Sequence, residues 1–282
     1  MTQNESPVYY NFSMGTAYGG EVNIRTTSME YVRFGNGPEN LIILPGLSDG
    51  LTTVKGMAWV LSMPYRKYMR DYTIYIFSRK NDMPEGYTIE DMADDQATVL
   101  GQLGITKMAV LGVSQGGMIA QALAIRHPDL ITKLIIAVSA PNANDLVKEN
   151  VNRWLEIVSR NDHRALMIDT AEHYYSEGYR KKYRLLYPVL GMVGKPKTYE
   201  RFIRNAQAIL AFDTFDRLNL ISCPTLILAG RNDQIVGVQA SLDMHEQIAG
   251  SDLYIYEEYG HAPNEEDRHF YDRIFAWLKK EH

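Results

Sequence analysis

One cysteine, Cys223, is present in 282 residues, so no internal disulfide can form. It lies at the approach to an apolar strand, and a reduced setting suits such a chain. Long apolar runs are also missing. None approaches the ~18–20 residues that cross a bilayer. The first seven residues are polar, without the basic and apolar regions of a secretory signal. Cytoplasmic location is therefore the expectation, with no membrane association. Charge of one sign is absent too: 29 Lys and Arg are interspersed with 34 Asp and Glu, for a net charge of −5. Without a basic footprint, nucleic acid is not an expected partner. The seven histidines are scattered and the cysteine stands alone, so no metal site and no cofactor is expected. Internal repeats and low-complexity tracts do not occur.

What is there is an ordinary globular composition, 45% hydrophobic and 22% charged, in a length that allows one large α/β domain or a core with an insertion. Residues 18–34 read as a hairpin. Short apolar runs then follow at Leu41–Leu44, Thr73–Phe77, Met108–Val113, Leu134–Val138, Thr225–Ala229 and Leu253–Tyr256. Their length and composition suit strands buried on both faces. Amphipathic stretches at Ile89–Leu103, Met118–Arg126 and Ile274–Leu278 alternate with them, which predicts a mostly parallel sheet flanked by helices. Between about Pro141 and Leu220 the alternation stops, and helical, aromatic-rich sequence takes over. A structureless loop of that length is implausible. The chain is thus divided into a core, 1–140 and 221–282, and an inserted helical cap, 141–220. Its aromatics Trp154, Tyr174, Tyr175, Tyr179, Tyr183, Tyr187, Tyr199 and Phe202 read for the most part as the insertion's own small core, with the lining of a pocket as the alternative.

The sharpest local signal is Gly112-Val113-Ser114-Gln115-Gly116-Gly117, set directly after a strand and opening a helix. A serine on that strained turn stands exposed at the carboxyl end of the sheet, and flanking glycines permit the close backbone approaches involved. A serine hydroxyl needs a base, itself oriented by a third group. His261, in Tyr259-Gly260-His261-Ala262-Pro263, follows the last strand, where catalytic groups of α/β sheets collect. Asp233, in Ala229-Gly230-Arg231-Asn232-Asp233, occupies the equivalent loop one strand earlier. It reads as the orienting carboxylate, or as a turn or helix-cap residue alone. Asp213 and Asp216 precede the same strand and are placed near its other end. Oxyanion donors are expected from the backbone N–H of Gln115 and from Leu47 in the loop Pro45-Gly46-Leu47-Ser48-Asp49-Gly50, unless that loop is a plain turn.

With those residues in view, the chain resembles the α/β-hydrolase superfamily over almost its whole length. Leu111 to Ala140 is similar to the elbow, helix and next strand of the cap-bearing serine hydrolases that include enol-lactone hydrolases and small-ester esterases. Leu218 to Val236 resembles the run into the acidic residue, and Gly260-His261 with Glu265 and Glu266 the histidine loop. The resemblance implies Ser114, Asp233 and His261 as triad and Leu47 and Gln115 as oxyanion donors. Two departures stand out: Pro45-Gly46 where many relatives have His-Gly, and Ser78-Arg79-Lys80-Asn81 in place of an Arg-Gly turn. The implied activity is cleavage of a small carboxylic ester, thioester or lactone through an acyl-enzyme. Carbon–carbon hydrolysis, perhydrolysis, acyl transfer, or a slow-turnover ligand receptor remain open, since function lives in the pocket. A small molecule is the expected partner, and monomer and homodimer are both compatible.

Overall fold

The apolar runs assemble into one nine-stranded sheet, ordered β1-β2-β3-β5-β4-β6-β7-β8-β9, in a computed structural model that describes residues 9–12, 15–187, 191 and 194–281. The strands are β1 (Tyr9–Phe12), β2 (Gly15–Ile24), β3 (Thr27–Phe34), β4 (Glu39–Leu44), β5 (Tyr72–Lys80), β6 (Met108–Val113), β7 (Ile131–Ala137), β8 (Thr225–Gly230) and β9 (Asp252–Tyr256). The hairpin β2–β3 and the strands on either side of it pair antiparallel. From β5 through β9 every pairing is parallel. β1 has no counterpart among the strands read from the sequence. β5 also runs past its apolar stretch through Ser78-Arg79-Lys80, because those polar side chains are buried with partners: Lys80 Nζ lies 2.8 Å from Asp95.

The parallel strands alternate between two buried faces, as strands covered on both sides must. Ile42, Leu44, Val110, Leu134, Ile136 and Ile227 join one apolar cluster. Their neighbours Leu41, Ile43, Leu111, Ile135, Leu226 and Leu228 join the other. In chain order the helices are α1 (Ala58–Ser62), α2 (Ile89–Gln102), α3 (Gln115–Arg126), α4 (Asp145–Ser159), α5 (His163–Tyr174), α6 (Glu177–Tyr183), α7 (Glu200–Leu210), α8 (Val238–Gln247), α9 (Pro263–Glu266) and α10 (Phe270–Leu278). The first cluster takes apolar residues from α2, α3 and α8, and the second from α1 and α10. A capping box at Thr88 and Asp91 starts α2. Helices α4 to α7 fall between β7 and β8. Their residues Val147, Val151, Trp154, Leu166, Phe202 and Ile209 belong to the same cluster as Leu44 and Ile136.

The strand order places a crevice where it matters. The chain leaves β4 toward β5 on one side, then returns to add β6 on the other. Loops after adjacent strands that run in opposite directions open a gap at the carboxyl end of a sheet. The two loops here are those after β4 and after β6.

The second of them is a tight turn. Ser114 has φ 54° and ψ −120°, a conformation a non-glycine residue holds only when its surroundings enforce it. A Cβ on Gly112 would stand 2.3 Å from the Gly116 oxygen, one on Gly116 1.9 Å from the Leu44 oxygen, and one on Gly117 2.6 Å from Ser139 Cβ. Backbone therefore packs directly on backbone around the serine. Val138, at φ 44°, is strained as well, and Ser139 beyond it donates its hydroxyl to the Ser114 carbonyl at 2.8 Å.

Gly116→Ala is expected to destabilise the fold by about 2 kcal/mol or more, because the clash is with main chain that has nowhere to go. Gly101→Ala, in α2 where an added Cβ meets nothing within 4 Å, is expected to stabilise by about 0.5–1 kcal/mol. Urea midpoints of both variants check the pair. Equal midpoints would mean that the elbow has slack.

Candidate active site

The strand register brings three loops to one end of the sheet. Val113 pairs with Ala137, the last residues of β6 and β7, and Ala137 with Leu228, while β8 and β9 run on to end at the pair Gly230–Tyr256. Main-chain bonds continue past the strand ends: Ser114 N–H donates to Ala137 O at 2.9 Å and Arg231 N–H to Tyr256 O at 2.9 Å. The loops after β8 and β9 then cross closely, since a Cβ on Gly230 would lie 1.9 Å from the Gly260 oxygen. A bidentate pair between Arg231 and Glu257, 2.9 Å for each bond, ties them on the surface.

On these loops Ser114, His261 and Asp233 form a hydrogen-bonded line. Ser114 Oγ lies 3.0 Å from His261 Nε2, and His261 Nδ1 lies 2.8 Å from Asp233 Oδ2. A carboxylate only accepts, so Nδ1 carries the imidazole proton and Nε2 is left to accept from the serine. His261 is 1% exposed and Asp233 7%. The second oxygen of Asp233 accepts the N–H groups of Ile235 and Val236 at 2.8 and 3.0 Å. One oxygen of Asp233 closes the turn and the other faces the histidine.

The other described histidines are engaged elsewhere. His163 contacts Tyr199, His173 the Asp169 carbonyl, His127 Asp94, His245 Ser251, and His269 Arg268 and Asp272. Asp213 accepts from the Phe215 N–H and bridges to Asn142, which commits it to a turn. Burial pushes the Cys223 thiol up, away from thiolate chemistry.

Leu47 opens the 3-10 turn Leu47–Gly50, and Gln115 is the first residue of α3. The first amides of a helix lack an intrahelical acceptor, so both N–H groups are free to serve a ligand. Both residues line the same cavity as Ser114. The Gln115 side chain points elsewhere: Arg79 Nη2 donates to its Oε1 at 2.9 Å, and its Nε2 donates to the Asn205 carbonyl at 3.0 Å. Arg79 Nη2 also donates to the Pro45 carbonyl at 2.6 Å, bridging the loops after β4 and β6. The Arg79 guanidinium is pushed down to about 10 by burial, against the opposing pull of Asp49, so it stays charged at neutral pH. Arg79 stood in the sequence only as a departure from an Arg-Gly turn. Its partners lie more than thirty residues away, and no local pattern announces them.

Above the serine is a cavity of about 450 Å³. Its wall is mostly apolar: Leu51, Met118, Val147, Val151, Trp154 and Phe202 contribute, joined by Tyr174, Tyr175 and Glu265. Trp154, Tyr174, Tyr175 and Phe202 thus face the cavity, whereas Tyr175, Tyr179 and Tyr183 also stack in a row along the inserted segment. The segment grips the histidine loop. Tyr174 C=O accepts the His261 N–H at 2.8 Å, and its ring meets the imidazole edge-on at 4.8 Å. Burial pushes the Tyr174 phenol well above its ordinary value, so it stays neutral. Ser176 bonds to Glu266 through both its N–H and its hydroxyl, and Tyr175 donates to Glu265 at 2.6 Å.

Among the described residues no three His, Cys, Asp or Glu side chains are grouped to hold a metal ion, and no helix is long and apolar enough to cross a membrane.

A protein of Pseudomonas savastanoi pv. phaseolicola named "Putative carbamate hydrolase RutD" is 28% identical over 207 residues, covering 69% of this chain and 78% of that one. Among solved structures, MGS-M2, an alpha/beta hydrolase enzyme from a Medee basin deep-sea metagenome library, superposes with a TM-score of 0.81 at 18% identity, covering 93% and 98% of the two chains. The enol-lactonase from Burkholderia xenovorans superposes with a TM-score of 0.77 at 19% identity, covering 92% and 100%. The family model of the alpha/beta hydrolase fold matches residues 74–268, most of the sheet and all three loops that carry the hydrogen-bonded line, and the chain belongs to that family.

Proposed function

We propose that the protein is a serine hydrolase that cleaves a small carboxylic ester, thioester or lactone with an apolar acyl group. The observation that carries this reading is the unbroken line Ser114–His261–Asp233 opening onto an apolar cavity. In the reaction Ser114 Oγ attacks the carbonyl carbon as its proton passes to His261 Nε2. Asp233 holds the imidazole in the tautomer that can accept that proton and stabilises the cation that forms. The N–H groups of Leu47 and Gln115 receive the negative charge on the carbonyl oxygen. His261 returns the proton to the leaving oxygen, and water then repeats the sequence on the acyl-enzyme.

Residues 141–220 act in this reading as a cap. They wall the cavity with Val147, Val151, Trp154 and Phe202 and hold the histidine loop through Tyr174. The enol-lactonase shares this fold, and the cavity's size and lining suit a cyclic or acyclic ester of comparable bulk. A bare carbamate would fill only a small part of it and leave the apolar wall facing water.

Ser114→Ala is expected to abolish both hydrolysis of 4-nitrophenyl esters and labelling by a fluorophosphonate, while the cavity and fold persist. Asp233→Asn is expected to lower kcat by on the order of 10²–10⁴, since the carboxamide can favour the wrong imidazole tautomer. Across straight-chain 4-nitrophenyl esters, kcat/KM should climb by roughly fourfold per methylene, following about 0.8 kcal/mol for each CH₂ buried, until the cavity is full. A wild type that neither labels nor turns over any ester would sink the hydrolase reading.

A further inference from the structure

Helix α7 gives Phe202 and Ile209 to the cavity wall, and its first turn is bonded to the loop that carries Leu47. Arg201 Nη2 donates to Asp49 Oδ2 at 2.7 Å, and Nε donates to the Asp49 carbonyl at 2.9 Å. Its remaining bonds reach the carbonyls of Arg79 and Lys80, both at 2.8 Å. Asp49 also accepts the Arg79 N–H at 3.0 Å, so one buried carboxylate joins the end of β5, the loop after β4 and α7. The contact is close in the main chain too: a Cβ on Gly50 would stand 2.8 Å from Phe202 Cα. One turn along, the Asn205 carbonyl accepts from the Gln115 side chain, and Asn205 Nδ2 bonds back to the Arg201 carbonyl. The same helix therefore contacts Gln115 and, at Asp49 and Gly50, the short turn that begins with Leu47.

We propose that Arg201 is a positioning residue for the oxyanion hole, acting through Asp49 on the Leu47 amide. The inference rests on the hydrolase reading above and names what keeps its oxyanion donors in place. Arg201 does not line the cavity, so its effect on the reaction passes through the loop. Its acceptors at Asp49 O, Arg79 O and Lys80 O are main chain, and the guanidinium fork meets them together with the Asp49 carboxylate. A lysine ammonium is a single point and cannot span that set. Donors of an oxyanion hole act only where they stand about 3 Å from the charged oxygen, and misplacement by a fraction of an ångström weakens them. The inserted segment is thus part of the charge-stabilising apparatus as well as a wall of the cavity.

The test compares wild type with Arg201→Met, Arg201→Lys, Asp49→Asn and the double variant Arg201→Met/Asp49→Asn. Its ligands are a 4-nitrophenyl ester, the matching trifluoromethyl ketone and the corresponding secondary alcohol. The ketone carbon bonds to Ser114 Oγ, the serine proton moves to His261, and the carbonyl oxygen takes up the negative charge. The alcohol fills the cavity without forming any adduct. Arg201→Met is expected to lower kcat by about 10–100-fold with KM within about twofold, and to weaken the ketone by the same factor while leaving the alcohol unchanged. Arg201→Lys should recover part of the loss, and the double variant should be no worse than the more damaged single one. Unchanged kcat overturns the proposal, as does equal weakening of ketone and alcohol, which would mark Arg201 as shaping the cavity. Should Arg201→Met fail to fold, as judged by circular dichroism, Arg201→Lys and Asp49→Asn decide by the same ratio of ketone to alcohol. A wild type inert to both ester and ketone overturns the hydrolase reading and this proposal with it. A reactive wild type matched by its Arg201 variants overturns this proposal alone.

Discussion

The site depends on the contact between the backbone of β4 and the first turn of α3. There the Leu44 oxygen leaves no room for a side chain on Gly116. That contact, with those at Gly112 and Gly117, lets the chain turn from β6 into α3 with only Ser114 between them. The result is a serine at φ 54° whose hydroxyl stands clear of the sheet and whose neighbour's N–H opens the helix. The strained conformation costs on the order of 1–3 kcal/mol and persists only because its surroundings over-determine it. Here they do so through a strand on one side and Ser139, bonded to the Ser114 carbonyl, on the other.

With the serine fixed, the partners follow from register. β6 and β7 end level, and β8 and β9 end level two residues further on, so residues a few positions beyond these strands meet above the sheet without a long loop. His261 is held at three points: by Asp233, by Ser114 and, through its own N–H, by Tyr174 C=O. The third contact matters because a loop histidine anchored only through its ring would lose orientation whenever the ring turned. Asp233 is equally constrained, since its Oδ1 is occupied by the amides of residues 235 and 236. The carboxylate cannot rotate away from the histidine without giving up those bonds.

Much of this was legible in the chain, and the part that was not has a physical reason. The strands β4 to β9 announce themselves because burial on both faces demands unbroken apolar runs, and the helices because one face must be apolar. Ser114, Asp233 and His261 could be picked out because each lies just past a recognisable strand, and proximity there is set by topology rather than by loop detail. β1 was missed: it is a four-residue edge strand held by pairing with β2. The end of β5 was missed because Arg79 and Lys80 look solvated in sequence and are buried in fact. Their burial is offset by Asp49 and Asp95, and a charge pair between elements distant along the chain leaves no periodicity to detect. Arg201 and Asp49, 152 positions apart, are the extreme case.

The pairing of Arg201 with Asp49 also bears on how far the inserted segment is a separate unit. A lid that swung freely would need an interface of its own, polar enough to face water when open. Instead Trp154, Leu166, Phe202 and Ile209 share one apolar cluster with Leu44, Met118 and Ile136 of the sheet layer. Lifting α4 and α7 away would expose that apolar surface and take from the Asp49 carboxylate, which is 2% exposed, its closer guanidinium, leaving it to Arg79 alone. Under the proposed function, motion that admits a substrate would fall more cheaply on α6 and the row of Tyr175, Tyr179 and Tyr183 than on α7. The α6 side is joined to the histidine loop by surface bonds of Tyr175 and Ser176 to Glu265 and Glu266. The segment thus divides by its contacts into α4 and α7, which share the apolar cluster of the sheet layer, and α6, whose approach meets the histidine loop at Glu265 and Glu266.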